Sequence, residues 1–349
     1  MDIYDDVTKI EETLFMTPPE EEIDEDDVFN SKVYDDFDER AWKKGDGYKI
    51  PKFPIIEKQL EGLESGLYIF AGESNSGKTA LMMNVLKDIC SCEENNLFGI
   101  YYSLDDTKNV VIPRIIAMEQ RIPIGVAAKP QRYRNIAETS DTDTAILYES
   151  YLTKRKEGLD KLKSEIDIFK IVDGLEISNH EQLEAHMKKM KTAVKAKWPD
   201  KNIVIAIDSI YDIQLTFNAE DKSKSEFIAK FVKSLSVELD CVILASAHLR
   251  KLNGNRRPTV DDLKEANTLL YEADMVWLVY NDVSKNKNAA KIYWENGQEK
   301  GPVIELDWAK NKKSSFKGRT FCKFAPNMSL TAECNDSVNN YFDQLIYQI

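Results

Sequence analysis

The sequence predicts an α/β domain: a mainly parallel, twisted sheet flanked by helices, with an antiparallel C-terminal hairpin. Three observations carry this. Short apolar runs of β-type residues alternate with helical patterns, giving crossovers of ~20 residues, the kind of connection a parallel strand pair needs. Runs such as Ile203-Val204-Ile205-Ala206-Ile207 and Cys241-Val242-Ile243-Leu244-Ala245-Ser246 are apolar at successive positions, as strands covered on both faces must be. Asn296-Gly297, set in flanking alternation, is a tight hairpin turn signal.

Taken in order, strands are expected over 67–71, 98–103, 167–172, 203–207, 241–246, 275–280, 291–294 and 303–308. Helical patterns lie at 77–90, 107–120, 150–165, 179–196, 224–239 and 261–272. Pro51 and Pro54 mark the entry to this folded part. Residues 1–45 read as a disordered acidic tail, residues 46–325 as the main domain, and residues 326–349 as a C-terminal docking segment.

Charge is distributed unevenly. Residues 1–40 hold 16 of the 60 acidic side chains against three bases, so the whole net charge of −13 resides there. The other 309 residues carry 44 of each sign, and an acidic total therefore says nothing against a nucleic-acid partner for the body. Small apolar islands in the tail (Ile10, Leu14, Phe15, then Val28, Phe29, Val33, Tyr34) leave two readings open, a solvated tail or a segment that docks on a partner or covers a basic channel. No apolar run approaches the ~20 residues that span a bilayer, so no membrane association is expected. The acidic N-terminus lacks the basic and apolar regions of a secretion signal, and a cytoplasmic location follows. Five cysteines (Cys90, Cys92, Cys241, Cys322, Cys334) without zinc-ligand spacing read as free thiols.

The strongest chemical signal is Gly72-Glu73-Ser74-Asn75-Ser76-Gly77-Lys78-Thr79, a full G-x-x-x-x-G-K-[ST] phosphate loop placed between a strand and a helix. Its backbone N–H groups, from Gly72 through Ser74, Asn75, Ser76 and Gly77 to Ala80, curl around phosphates. Lys78 would reach the β- and γ-phosphates of ATP, and Thr79 would hold Mg²⁺. The strand ending at Ser103 delivers Asp105 to the same crevice, as a helix cap or as the group that polarises an attacking water. Ile203–Asp208 has the form of a Walker-B strand, with Asp208 fixing the Mg²⁺ shell. The next buried strand carries His248 to the crevice edge, where it could sense the γ-phosphate; His180 and His186 fall on a charged helix and read as solvated. The segment after it, Arg250-Lys251-Leu252-Asn253-Gly254-Asn255-Arg256-Arg257-Pro258, has four bases and no aromatic residue. That composition suits a mobile loop tracking a phosphate backbone with little base stacking. Lys222 and Lys224 offer a second basic stretch.

The order of these motifs resembles the RecA-like ATPase domain of hexameric replicative helicases of the DnaB type, especially the phage primase-helicase and Twinkle type, over about Phe53 to Phe324. Ser103-Leu104-Asp105 is similar to that family's S-L-E, with the acid one methylene shorter. Ser246-Ala247-His248-Leu249-Arg250 resembles its S-[QH]-L segment, the histidine favouring the phage type. Arg257-Pro258-Thr259-Val260-Asp261-Asp262-Leu263-Lys264, followed by Ala273-Asp274, is similar to its R-P-x-x-x-D-L-R segment. The resemblance implies a ring, of six subunits, that hydrolyses ATP with Mg²⁺ between subunits and translocates as a helicase on single-stranded DNA in replication. It further implies that Lys310 and Lys312 stand where the family's K-x-R places an arginine finger, with Arg319 as a substitute. Departures are the lysine at that position, a long Asp105–Asp208 interval with an insertion at Lys129–Tyr148, and no room for a primase or helical collar ahead of residue 50. They leave open a non-unwinding ATPase of the same fold, recombinase-like or regulatory. A further alternative is a binding module with a degenerate site that recruits partners through the tail.

Overall fold

The computed structural model describes residues 31–43, 47–252, 254–263 and 267–348. The chain divides into two units at Asp46/Gly47. In the first, helix α1 (Lys32–Lys43) stands within the stretch that composition reads as structureless. Val33, Tyr34, Phe37 and Ala41 recur at helical spacing, and Asp35 lies in the first turn, which local patterning supplies despite the acidic surroundings. The acidic run at 20–27, with the rest of residues 1–30, lies outside the described residues.

The second unit is built on a nine-stranded sheet. Its strands are β1 (Gly66–Gly72), β2 (Leu97–Ser103), β3 (Phe169–Asp173), β4 (Asn202–Asp208), β5 (Val242–His248), β6 (Met275–Asn281), β9 (Val303–Asn311), β10 (Arg319–Ala325) and β11 (Leu330–Glu333). They lie in the order β11-β10-β9-β6-β1-β5-β4-β2-β3. From β6 to β3 all neighbours are parallel, and β9, β10 and β11 continue the sheet antiparallel. The expected fold class is therefore met.

The two-residue period of β1 shows why its run is continuously apolar. Leu67, Ile69 and Ala71 enter one core with Leu183 and Met187 of α8 (His180–Lys197) and Ile228 and Val232 of α9 (Asp221–Glu238). Tyr68 and Phe70 enter the opposite core with Leu81, Met82 and Leu86 of α3 (Lys78–Ser91). Each fully buried aliphatic side chain contributes ~1.5–3 kcal/mol, so both faces tie the central strand down.

Four features depart from the expected element list. The Asn296-Gly297 turn forms a small hairpin, β7 (Trp294–Asn296) with β8 (Glu299–Gly301), as a separate two-stranded sheet. The antiparallel edge is made instead by β9, β10 and β11. The Lys129–Tyr148 insertion is helical: α6 (Pro130–Thr139) and the first turns of α7 (Thr142–Ser164). The Asp141 carboxylate accepts the Thr144 N–H at 3.0 Å and starts α7 before the expected residue 150. Finally, residues 326–349 do not stand apart as far as they are described. β11 is the edge strand, and α12 (Asp336–Tyr347) packs Phe342 on Phe321 at 5.4 Å between ring centroids. His180 is buried among Phe217, Phe227 and Phe231, and the His186 ring bonds the Tyr102 hydroxyl at 2.9 Å, so neither is a solvated histidine. The five cysteines are free. Among the described residues no helix is long and apolar enough to cross a membrane.

Candidate functional site

Sheet register sets the site. Gly72 pairs with His248 on β5 and with Val279 on β6, and Ser103 pairs with Asp208. The carboxyl ends of the central parallel strands thus bring the phosphate loop, His248, Asp208 and Asp105 to one edge, the crevice where open α/β sheets bind ligands. Gly72 is required by close approach: a Cβ there would lie 2.6 Å from the Ser76 hydroxyl oxygen and 2.8 Å from the Val279 carbonyl. Gly77 N-caps α3 at φ +99°, and a Cβ there would meet the Ile304 side chain at 2.6 Å.

Lys78 opens α3 with 6% of its surface exposed. Its ammonium donates to the Glu73 carbonyl at 2.8 Å. Burial pulls it down to about 8, against the opposing pull of the Asp208 and Glu73 carboxylates. The Ser76 hydroxyl is buried and has no hydrogen-bond partner, and no side chain caps the N-terminus of α3. An orphaned hydroxyl, a buried lysine held by a carbonyl, and uncapped helix N–H groups are what an oligophosphate would satisfy.

Asp208 is fixed from both sides: the Tyr101 hydroxyl donates to Oδ2 at 2.8 Å, and the Ser246 hydroxyl donates to Oδ1. Thr79 and Asp208 line one open cleft of about 590 Å³ with Ser74, Asn75, Gly77, Lys78, Ala80, Asp105 and His248. One hydroxyl and one carboxylate, with phosphate oxygens to complete the shell, suit Mg²⁺. Among the described residues no cluster of three His, Cys, Asp or Glu side chains could hold a metal by itself. Asp105 is raised above the usual carboxylate value by partial desolvation and by Asp212, Asp106 and Asp208, with His248 opposing. His248 is lowered by burial and then by Lys78, which favours the neutral imidazole.

The basic residues separate into three groups. Lys224, Arg250 and Lys251 line a second cleft of about 680 Å³, beside the phosphate loop, with Glu73, Ser74 and His248. Lys285, from α11 (Asp282–Asn286), lines the same cleft; no motif in the sequence marks it. Lys222 is exposed in the first turn of α9 and does not line that cleft. Arg256 and Arg257 are both held by acids of the chain, Arg256 at the surface and Arg257 largely buried. Arg256 forms a two-pronged pair with Asp262, one prong at 2.6 Å. Arg257 does the same with the buried Glu305 at 2.7 and 2.8 Å, and stacks over Tyr280. The basic stretch from Arg250 to Arg257 is thus not one uniform strand-facing surface.

Lys310 and Lys312 are placed far from Lys78. β9 runs antiparallel to β6, with Met275 opposite Asn311 and Val279 opposite Leu306, so both lysines stand at the end of the sheet away from the phosphate loop. The length of one seven-residue strand, ~20 Å, separates the two edges. The Lys310 ammonium donates to the Leu270 carbonyl and, at 2.7 Å, to that of Tyr271; Lys312 reaches the Tyr271 carbonyl at 3.3 Å. They satisfy carbonyls near the end of α10 (Asn267–Glu272). Burial and the neighbouring Lys312 charge pull Lys310 down to about 8. Arg319 pairs with Asp343 of α12 at 3.4 Å and with Asp307 at 3.9 Å.

Comparison with known proteins gives one consistent result. The DnaB-like helicase C terminal domain model matches residues 51–329. The replicative DNA helicase DnaB of Mycoplasma pneumoniae is 25% identical over 304 residues, 82% of this chain and 58% of that protein. The replicative DNA helicase DnaC of Bacillus subtilis is 22% identical over 284 residues, 78% of this chain and 57% of that one. The chain therefore spans somewhat more than half the length of these curated relatives. A solved ATPase domain superposes with a TM-score of 0.69 at 18% identity, covering 87% of this chain and 98% of its own. A solved DnaB-like replicative helicase, described with its primase interactions, gives 0.68 at 19% identity over 95% of this chain and 71% of its own. These superpositions establish the RecA-like fold, and the family match covers the phosphate loop, both clefts and the antiparallel strands β9 and β10: the chain belongs to the DnaB-like helicase C-terminal domain family.

Proposed function

We propose that this chain is an ATP-driven translocase of single-stranded DNA, working as a helicase in replication within a ring of identical subunits. The observation that carries the reading is the adjacency of the two clefts. One holds Lys78, Thr79, Asp208, Asp105 and His248; the other, sharing Ser74 and His248, is walled by Lys224, Arg250 and Lys251.

In this reading Lys78 exchanges the Glu73 carbonyl for phosphate oxygens and offsets the charge that develops on them. Thr79 and Asp208 would hold Mg²⁺, which would supply further charge neutralisation on the phosphates. Tyr101 and Ser246 keep the Asp208 carboxylate in place. Asp105 takes the proton from a water whose oxygen bonds the γ-phosphorus while the bridging P–O bond breaks and ADP leaves with the electron pair. Its raised affinity for protons suits that role. His248, neutral and exposed to both clefts, registers the γ-phosphate and adjoins Arg250. The strand backbone is held by Lys224, Arg250 and Lys251, with steep salt dependence and weak sequence preference.

Lys310 and Lys312 serve a neighbouring subunit's site in this scheme, since the sheet separates them from their own. Their engagement with the Leu270 and Tyr271 carbonyls favours the second reading, an ATPase of this fold that does not unwind. The deciding experiment is ATP turnover with and without single-stranded DNA across protein concentrations, with a Lys78→Ala control, followed by strand displacement. DNA-stimulated turnover rising faster than linearly with protein, together with displacement, supports the helicase. Stimulated turnover without displacement supports the second reading, and turnover indifferent to Lys78→Ala removes both.

A further inference from the structure

The second position of the phosphate loop is occupied by a carboxylate that no role above uses. Glu73 has three attachments. Its carbonyl accepts the Lys78 ammonium at 2.8 Å. Its Oε1 accepts the Leu252 N–H at 3.2 Å, from the middle of the basic segment. Its Oε2 faces the Lys285 ammonium as an ion pair, with the Glu73 side chain 13% exposed. Close by, the Leu249 N–H donates to the Gly72 carbonyl at 3.3 Å. Leu252 is buried, and it shares with Glu73, Ser76, Leu249 and Lys285 the lining of a pocket whose free volume is only about 10 Å³. The basic segment is therefore packed onto the phosphate loop rather than merely near it.

The rest of the segment is anchored elsewhere. The Tyr280 hydroxyl donates to the Asn255 carbonyl at 2.8 Å, and Arg257 is held by Glu305. The Arg250 N–H goes to the Asp262 carbonyl at 2.9 Å. Among the described residues, Glu73 is the side chain that joins the 250–252 stretch to the phosphate loop by hydrogen bond. It also neutralises one of the four cations lining the cleft.

From this geometry we propose that Glu73 is a positioning residue that couples nucleotide occupancy to affinity for the phosphodiester strand. The same residue gives its backbone to Lys78 and its carboxylate to Leu252 and Lys285. When Lys78 leaves the Glu73 carbonyl for a phosphate, the constraint on that peptide changes, and the carboxylate transmits the change to the basic stretch and to the charge Lys285 presents. The inference rests on the strand-binding reading above and assigns its regulation.

The test uses the full chain and a fluorescent oligothymidylate, titrated by anisotropy with and without a non-hydrolysable ATP analogue and Mg²⁺. The ratio of the two dissociation constants is the coupling factor, expected in the wild type within the common allosteric range of about 5–150-fold. Nucleotide binding is measured separately in each variant. With Glu73→Ala the factor collapses to within about twofold of one while the analogue still binds. Glu73→Gln keeps an acceptor for Leu252 but frees Lys285. It tightens nucleotide-free strand binding at low salt and steepens the salt dependence by about 0.7 in log–log slope, one added phosphate contact. A merely structural role for Glu73 moves neither the ratio nor the slope. A wild-type factor retained in Glu73→Ala overturns the inference and leaves strand binding intact, as does a wild-type factor of one. A wild type that binds no oligonucleotide in either state overturns the strand-binding reading, and this inference with it. Should Glu73→Ala fail to fold, an unchanged slope in Glu73→Gln overturns the inference on its own.

Discussion

Arg257 lies in a basic stretch whose composition suggests contact with a phosphate backbone, yet its guanidinium meets the Glu305 carboxylate through two hydrogen bonds of 2.7 and 2.8 Å. Glu305 retains 2% of its surface. Replacing Arg257 with leucine leaves that carboxylate without its cation in a site where burial already raises its proton affinity. Removing one partner of a buried, hydrogen-bonded pair costs about 3–5 kcal/mol, because the remaining charge keeps its desolvation penalty. A unit of ~300 residues has an unfolding entropy of roughly 0.6 kcal/mol/K near its midpoint, so the expected fall in Tm is about 5–8 °C. Arg257→Lys keeps the charge but not the planar fork, and falls between wild type and Arg257→Leu. Thermal melts at pH 7 measure this, and anisotropy titrations over a salt series measure strand binding by the same variants. The salt slope is expected to remain at the wild-type value in both. A Tm unchanged to within about 1 °C, with a slope lowered by about 0.7, would mean that Arg257 grips a phosphate and that the pair with Glu305 is incidental.

Three further outcomes follow from the site. Lys78 is pulled down to about 8 in the fold against 10.5 for an ordinary lysine, so between those values the unfolded chain binds more protons and stability rises with pH. Subtracting the Tm–pH profile of Lys78→Met isolates this rise from the similar one due to Lys310, and a bound ATP analogue removes the Lys78 part by restoring a charged partner. Tyr101→Phe and Ser246→Ala each take one hydroxyl from Asp208, and each lowers turnover about 10–100-fold while raising the Mg²⁺ concentration for half-maximal activity; a Mg²⁺ titration of turnover checks it, and an unchanged half-maximal concentration refutes the positioning role. Mixing Lys78→Ala subunits with a Lys310→Ala/Lys312→Ala double variant restores turnover above that of either alone if the lysines act across a subunit boundary. Turnover that is only the weighted mean of the two refutes action in trans.

What the sequence made legible was whatever depends on local chemistry. The phosphate loop must have glycine where Gly72 abuts Val279 and where Gly77 takes a positive φ, so its spacing survives as a motif. The Walker-B strand and the strand before His248 are continuously apolar because both faces are covered, and that fixed which edge their last residues reach. The antiparallel edge was harder to see. β10 (Arg-Thr-Phe-Cys-Lys-Phe-Ala) mixes charge with aromatic residues, because Arg319 serves Asp343 while Phe321 faces Phe342. Neither partner is near it in the chain.

The basic residues show the same limit more sharply. Arg250, Lys251, Arg256 and Arg257 have equivalent composition, and only their acid partners divide them: Asp262, close in the chain, holds Arg256, and the distant Glu305 on β9 holds Arg257. One trace of this was present, since Glu305 stands alone in Val303-Ile304-Glu305-Leu306, a carboxylate inside an apolar strand. A charge in that setting requires a cationic partner, and Arg257 of the basic stretch supplies it from far along the chain. Glu73 carries the converse lesson. A carboxylate beside a phosphate site repels the ligand unless other cations hold it, so an acid in the phosphate loop implies partners of its own. Leu252 and Lys285 are those partners, and they belong to the elements that flank the basic cleft.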